Sequence, residues 1–245
     1  MKTLLAIAAA LLALTAAAHA QQLDLGQIAG QADGATIGYI IQVFGLLTVL
    51  SVAPGLLIMV TSFTRFVIVF AILRAGIGLQ TTPANIILIS LALFMTFYVM
   101  TPTFDSAWNN GVRPLVNNQI DETQAMQRIA DPFRDFMLAN VREADFNLFA
   151  DLARERGQNV VEGEQVDLRV LVPAFMISEI RRGFEIGFLI VLPFLVIDLV
   201  VATVTMAMGM MMLPPTVISL PFKILFFVLI DGWNLLVGSL VRSFN

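Results

Sequence analysis

The chain has 245 residues, of which 58% are hydrophobic and 13% charged, and its formal net charge is −4. Soluble domains average roughly 45–50% and about 25% in the same classes, and one water-solvated fold of this length cannot hide the excess apolar surface. The composition therefore excludes a purely aqueous domain, and the mild acidity, with no basic stripe, speaks against nucleic acid as a partner.

At the N-terminus Met1-Lys2-Thr3 precedes an apolar run from Leu4 to Ala18, closed by Ala18-His19-Ala20 before Gln21. A positive start, a short apolar middle and small residues at −3 and −1 predict a secretory signal peptide over residues 1–20, cleaved between Ala20 and Gln21. Residues 21–36 then form an exported tail. His19 is the only histidine and there is no cysteine. The mature chain thus has no imidazole, no thiolate and no disulfide framework.

Residues 37–104 read as a first hydrophobic hairpin. Gly34 to Thr64 and Ala75 to Phe104 carry no charge, and each is long enough to cross ~30 Å of hydrocarbon as a helix. Pro54-Gly55 suggests a kink in the first. Arg65 and Arg74, with no acid between them, predict a cytoplasmic connection by the positive-inside rule. Tyr39, Tyr98 and Trp108 fall near the opposite ends, where aromatic rings favour the interface.

Residues 105–172 hold most of the charge, both signs mixed, and read as a polar helical insertion on the periplasmic side. The apolar spacing of Met126, Ile129, Phe133, Phe136, Met137 and Val141 predicts amphipathic helices, with breaks at Pro114 and Gly157 and a loop over 157–165. Residues 173–245 return to apolar character as a second hairpin, Gly183 to Met208 and Leu213 to Leu240, turning at Leu213-Pro214-Pro215. The fold class expected is an all-α integral membrane protein: two hydrophobic helical hairpins with a polar helical insertion between them.

Two sets of residues in the second hairpin carry a functional hypothesis. Charges stand where lipid alone does not tolerate them: Glu179, Arg181 and Arg182 at its start, and Asp198, Lys223 and Asp231 within it. An ionised group at the bilayer centre costs at least ~2.5–3.5 kcal/mol, so such groups seek partners or water. Lys223 and Asp231, eight residues apart, share a helix face without touching. Lys223 is expected to pair with Glu179 or Asp198, within the chain or across to a neighbouring copy.

The second set is Met206, Met208, Met210, Met211 and Met212, with Gly209 among them and Pro214-Pro215 just beyond. On a helix these side chains spread around the axis instead of forming one core stripe. Thioether side chains are flexible and polarisable. Repeated around an axis by several copies, they can form a deformable apolar gasket that excludes water and yields to a passing chain. Ordinary helix packing is the competing explanation, and Cu(I) ligation by thioethers is another; no other metal or cofactor set is present in the sequence. For catalysis there is no H-E-x-x-H, G-x-S-x-G, P-loop or G-x-G-x-x-G motif. An intramembrane pair of Asp198 and Asp231 sharing a proton is the one catalytic option left, and the residues flanking Asp231 fit it poorly.

The last third also carries a resemblance. Pro173-Ala174-Phe175-Met176-Ile177-Ser178-Glu179-Ile180, then Gly183-Phe184-Glu185-Ile186-Gly187-Phe188, Leu192-Pro193-Phe194-Leu195-Val196-Ile197-Asp198, Met208 to Pro215, Ser219-Leu220-Pro221-Phe222-Lys223 and Asp231-Gly232-Trp233 resemble the FliP family of flagellar biosynthetic proteins. The order of signal peptide, hairpin, polar insertion and second hairpin extends the likeness over essentially the whole chain. The resemblance implies a non-enzymatic component of the type III protein export gate, located in the bacterial inner membrane at the flagellar basal body with a periplasmic domain. It also implies several copies around a pore, FliQ, FliR and FlhB as partners, and unfolded flagellar subunits as cargo. In that family the methionine loop lines the constriction. The reading that competes with export is a small-solute or Cu(I) membrane transporter.

Overall fold

The computed structural model describes residues 34–157, 166–209 and 214–244. The expected signal peptide and its cleavage site at Ala20 and Gln21 lie outside them, as do most of the exported tail, residues 158–165, and Met210, Met211 and Met212. Among the described residues all regular structure is helical. The chain falls into two units, residues 1–54 and 55–245.

Helix α1 (Gly34–Met59) contains no charged residue. Within the first unit, Thr48 Oγ1 donates to the Phe44 carbonyl and Ser51 Oγ to the Thr48 carbonyl, both at 2.8 Å. Polar groups satisfied inside their own helix suit a segment surrounded by hydrocarbon.

In the second unit, α2 (Phe63–Ile77) replaces the solvent-facing connection expected around Arg65 and Arg74. Its apolar residues Phe66, Val69, Phe70, Leu73 and Ile77 recur at helical spacing and are all buried, and Gly78 at φ +94° ends it. Arg65 is fully buried. Hydropathy treats the two arginines as markers of a loop. Between them, however, stand eight uninterrupted apolar residues, 66–73, which find burial as a helix at the centre of the core.

Helix α3 (Asn85–Ala107) runs past the expected end of its apolar segment at Phe104. It continues through a π-helical turn, Trp108–Val112, into the short α4 (Arg113–Val116). Pro114 therefore sits in the first turn of α4, where a missing N–H is tolerated, and the break comes after Val116, at Asn118 with φ +54°. Tyr98 and Trp108 are exposed. Gly111 in the π-turn faces α5: a Cβ there would collide with Ile129 Cγ1 and lie 3.4 Å from the Ala125 carbonyl oxygen.

The insertion does hold two amphipathic helices, α5 (Glu122–Asn140) and α6 (Glu143–Glu155). Asp121 caps α5 by accepting from the Gln124 N–H at 2.7 Å, as N-cap aspartates do. Met126, expected on its apolar stripe, is 72% exposed; Ala125 is buried in its place. Ala125 and Ile129 meet the π-turn and Phe133 meets Phe104 of α3, whereas Met126 lies about 100° from Ala125 around the axis.

Helix α7 (Leu168–Ala207) is 40 residues long, about 60 Å at ~1.5 Å per residue. It passes unbroken through Pro173, where the sequence suggested the insertion ended. Its first turns pack on α5 and α6 through Val170, Leu171 and Phe175, and the rest is the apolar arm. Its contact with α2 is set by small residues: a Cβ on Gly183 would meet Ile68 Cγ2 at 3.0 Å, and one on Gly187 would meet Ile72 Cδ1 at 2.6 Å. The four-residue spacing of these glycines opens one strip of α7 to close helix approach.

The returning arm is not one helix. Helix α8 (Pro215–Leu229) and α9 (Gly232–Arg242) meet at a 64° bend. Asp231 adopts φ +51° between them, a conformation that Asp and Asn tolerate better than most side chains. Among the described residues of the second unit, two helical stretches are long and apolar enough to cross a membrane, Asn85–Val116 and Leu168–Ala207, or three if the bent pair counts as one. The core gathers Phe66, Phe70, Leu73, Phe194, Phe227, Leu236 and Leu240.

Candidate functional site

The charges singled out in the sequence sort into three environments. Arg65 and Glu179 form the innermost pair, both fully buried. Arg65 Nε donates to Glu179 Oε2 at 2.9 Å while Nη2 donates to Oε1, the parallel fork that a planar guanidinium offers a carboxylate. The other edge of Arg65 reaches the end of the chain, where Nη1 donates to the Ser243 carbonyl at 2.9 Å and to Ser243 Oγ at 2.7 Å. The Phe244 ring covers the guanidinium carbon at 3.6 Å and stacks on Phe136 of α5, centroids 6.0 Å apart. One arginine thus joins α2, α7, the C-terminal turn and the insertion. Nothing in the sequence pattern singles it out except its place as a lone cation before an apolar run, a position that demands an acid from elsewhere.

Lys223 of α8 pairs with Asp198 of α7 at 2.5 Å and donates to the Gly76 carbonyl at 3.1 Å. Ser219, one turn earlier, donates to the second oxygen of Asp198 at 2.5 Å. Of the two carboxylates offered to Lys223 by the sequence, Asp198 of the same chain takes it and Glu179 belongs to Arg65. The side chains of Lys223 and Asp198 are 6% and 28% exposed, so this pair sits at an edge.

Arg181 and Asp231, grouped with the buried charges, are not buried. Arg181 is exposed and pairs with Glu185 one turn on, at 2.9 Å. Asp231 is exposed at the bend and accepts from Asn234 Nδ2 at 3.1 Å. Helical spacing sets Lys223 and Asp231 on one face, but the bend ends α8 before Asp231. With Asp198 held by Lys223 and Ser219, and Asp231 by Asn234, the two aspartates form no proton-sharing pair.

Of the methionine cluster, Met206 in the last turn of α7 and Met208 at its C-cap are 59% and 68% exposed. Gly209 at φ +72° turns the chain out of the helix, where a side chain is disfavoured. Pro214 caps α8 and Pro215 begins it. Met208 also borders a wholly apolar groove of about 550 Å³ with Val204, Ile218 and Phe222.

These features define an integral membrane protein, helical in its described residues, stitched by ion pairs inside apolar helices and presenting methionines at a glycine- and proline-flanked turn. The sequence model of the FliP family matches residues 46–240. The flagellar biosynthetic protein FliP of Agrobacterium fabrum is 72% identical over 237 residues, covering 97% of each chain. That of Rhizobium meliloti is 71% identical over 235 residues, 96% of each, and that of Bacillus subtilis 46% identical over 218 residues, 89% of this chain and 97% of its own. The chain belongs to the FliP family and is a membrane component of flagellar biosynthesis and protein export.

Proposed function

We propose that several copies of this chain, together with FliQ and FliR and adjoining FlhB, enclose a gated pore in the bacterial inner membrane through which unfolded flagellar subunits leave the cell. The turn from Met206 to Met212 is the gate. Gly209, Pro214 and Pro215 shape it, and Glu179, Asp198 and Lys223 hold the helices that carry it, with the insertion of residues 105–172 on the periplasmic side. The carrying observation is the exposure of Met206 and Met208 at a helix end that turns through a left-handed glycine. Large flexible apolar side chains left bare at such a turn suit contact with other chains around an axis.

The test replaces Met206, Met208, Met210, Met211 and Met212 together with Ala. A gate predicts membranes that leak ions, or altered flagellar protein export, with assembly retained. Unchanged export and tight membranes, or a copper phenotype with normal swimming, contradict the proposal.

A further inference from the structure

Two charges of the second unit stand beside apolar side chains with only neutral hydrogen-bond partners. Arg74 of α2 donates through Nη1 to the Pro83 carbonyl at 3.3 Å and to Asn85 Oδ1 at 2.5 Å. Among the described residues its Nε and Nη2 bond nothing. Asp231 accepts from Asn234 Nδ2 at 3.1 Å, and although it holds the N-cap of α9, its side chain caps no backbone N–H. An ionised group with apolar neighbours needs an opposite charge or water, and among the described residues neither of these two has an ion pair.

Arg74 lines a groove of about 1060 Å³ along α2 and α7. The α2 wall is low, since Ala71, Ala75 and Gly78 line it and are exposed; the α7 wall carries Phe184 and Phe188, exposed as well. Gly187 faces Ile72 and Gly76 faces Val191, so Arg74 stands level with Phe188, in the middle of this apolar stretch. The other two charges of the groove, Asp198 and Lys223, neutralise each other. Arg74 is its unmatched charge. Asp231 has the complementary setting: at the bend between α8 and α9 it follows the exposed Val228 and Leu229 and precedes the exposed Leu235 by one turn. The bend cannot fill the groove of its own chain. Trp233 seats it against Phe70, ring centroids 6.5 Å apart, and Phe70 lies about 140° around α2 from Ala75.

We infer that the α2–α7 groove of one copy receives the α8–α9 bend of the next, with Asp231 of the neighbouring copy pairing with Arg74 and its flanking apolar side chains covering Phe184 and Phe188. The small residues of the α2 wall admit the close approach this needs. The contact rests on the reading that several copies surround a pore, and it names the two surfaces by which they meet. Because groove and bend are different surfaces, each copy offers one to the neighbour on either side. A head-to-tail contact of that kind builds a ring when its rotation closes. An anionic lipid in the groove would satisfy Arg74 and leave Asp231 unmatched, whereas one contact between copies satisfies both.

The test uses the full chain, which has no cysteine of its own, in membranes of cells that assemble flagella. Chains carrying Arg74→Cys and chains carrying Asp231→Cys, each with its own tag, are produced together and treated with a short bismaleimide. The expected product is a mixed dimer carrying both tags, with no dimer when either variant is produced alone. Absence of the mixed dimer overturns the inference, and so does a dimer formed by one variant alone, which would bring like surfaces together. A chain carrying both cysteines that cross-links only within itself overturns it as well. Charge gives a second measurement: Arg74→Asp and Asp231→Arg are each expected to lose swimming, and the two combined in one chain to recover part of it. A combination no better than the worse single variant contradicts the pairing. If Met208→Cys chains dimerise on oxidation where the mixed cross-link fails, this contact falls and the gate stands; if both fail, both fall.

Discussion

Arg65–Glu179 and Lys223–Asp198 are both ion pairs set in apolar helices, yet one is sealed and the other stands at an edge. The first is fully buried on both sides, with the guanidinium's edges bonded to Glu179 and Ser243 and its face covered by the Phe244 ring. The second leaves Asp198 28% exposed and borders a groove. In the interior, two desolvated ions repay their loss of water only with full hydrogen bonding, and removal of one strands the other. At the edge, water or lipid headgroups can reach the survivor. The sealed pair is thus a fixed point for four segments of the chain, and the edge pair ties α7 to α8 beside a surface open to its surroundings.

The sharpest way to break that contrast is to remove one partner of each. Glu179→Ala strands a buried guanidinium and is expected to destabilise the fold by about 3–5 kcal/mol, read as a shift in unfolding in mixed micelles. Glu179→Gln recovers part of the loss by keeping a hydrogen-bond acceptor. Lys223→Ala is expected to cost about 1–3 kcal/mol, the range for a group left unsatisfied, and the swap of Lys223→Asp with Asp198→Lys to recover part of it. If the two single losses are equal, the difference in burial has no energetic meaning. Arg181→Ala supplies the baseline: its exposed pair with Glu185 lies one helical turn apart, where such contacts contribute little, and no measurable change in unfolding is expected.

Part of this was legible from composition and spacing. Charge-free runs gave the helices, and the loneliness of Lys223 and Asp198 in apolar sequence demanded partners. Each proved to be the other's, on adjacent helices that the Pro214-Pro215 turn brings together. Arg65 was not legible as a core residue, because an arginine next to an apolar run reads as a loop marker until a distant Glu179, 114 residues away, is known to reach it. The continuity of α7 was hidden for a related reason: Pro173 marks a change of composition, and composition changes there while the backbone does not. The 64° bend was hidden as well, since Asp231-Gly232 read as an intramembrane charge and not as a helix break. What decided these points was long-range pairing, which local pattern does not carry. The methionines proposed as the gate stand out in the sequence as a cluster, because side chains that fail to share a helix face need a reason to be together.

The most direct test of the gate uses the absence of cysteine from the chain. A single Met208→Cys substitution, oxidised in intact membranes of cells that assemble flagella, is expected to give disulfide-linked dimers of this chain, because copies around a pore bring the same turn together. A Met208→Cys chain that stays monomeric under oxidation, and whose thiol reacts freely with a lipid-soluble maleimide, would place the methionine turn against lipid and contradict the gate.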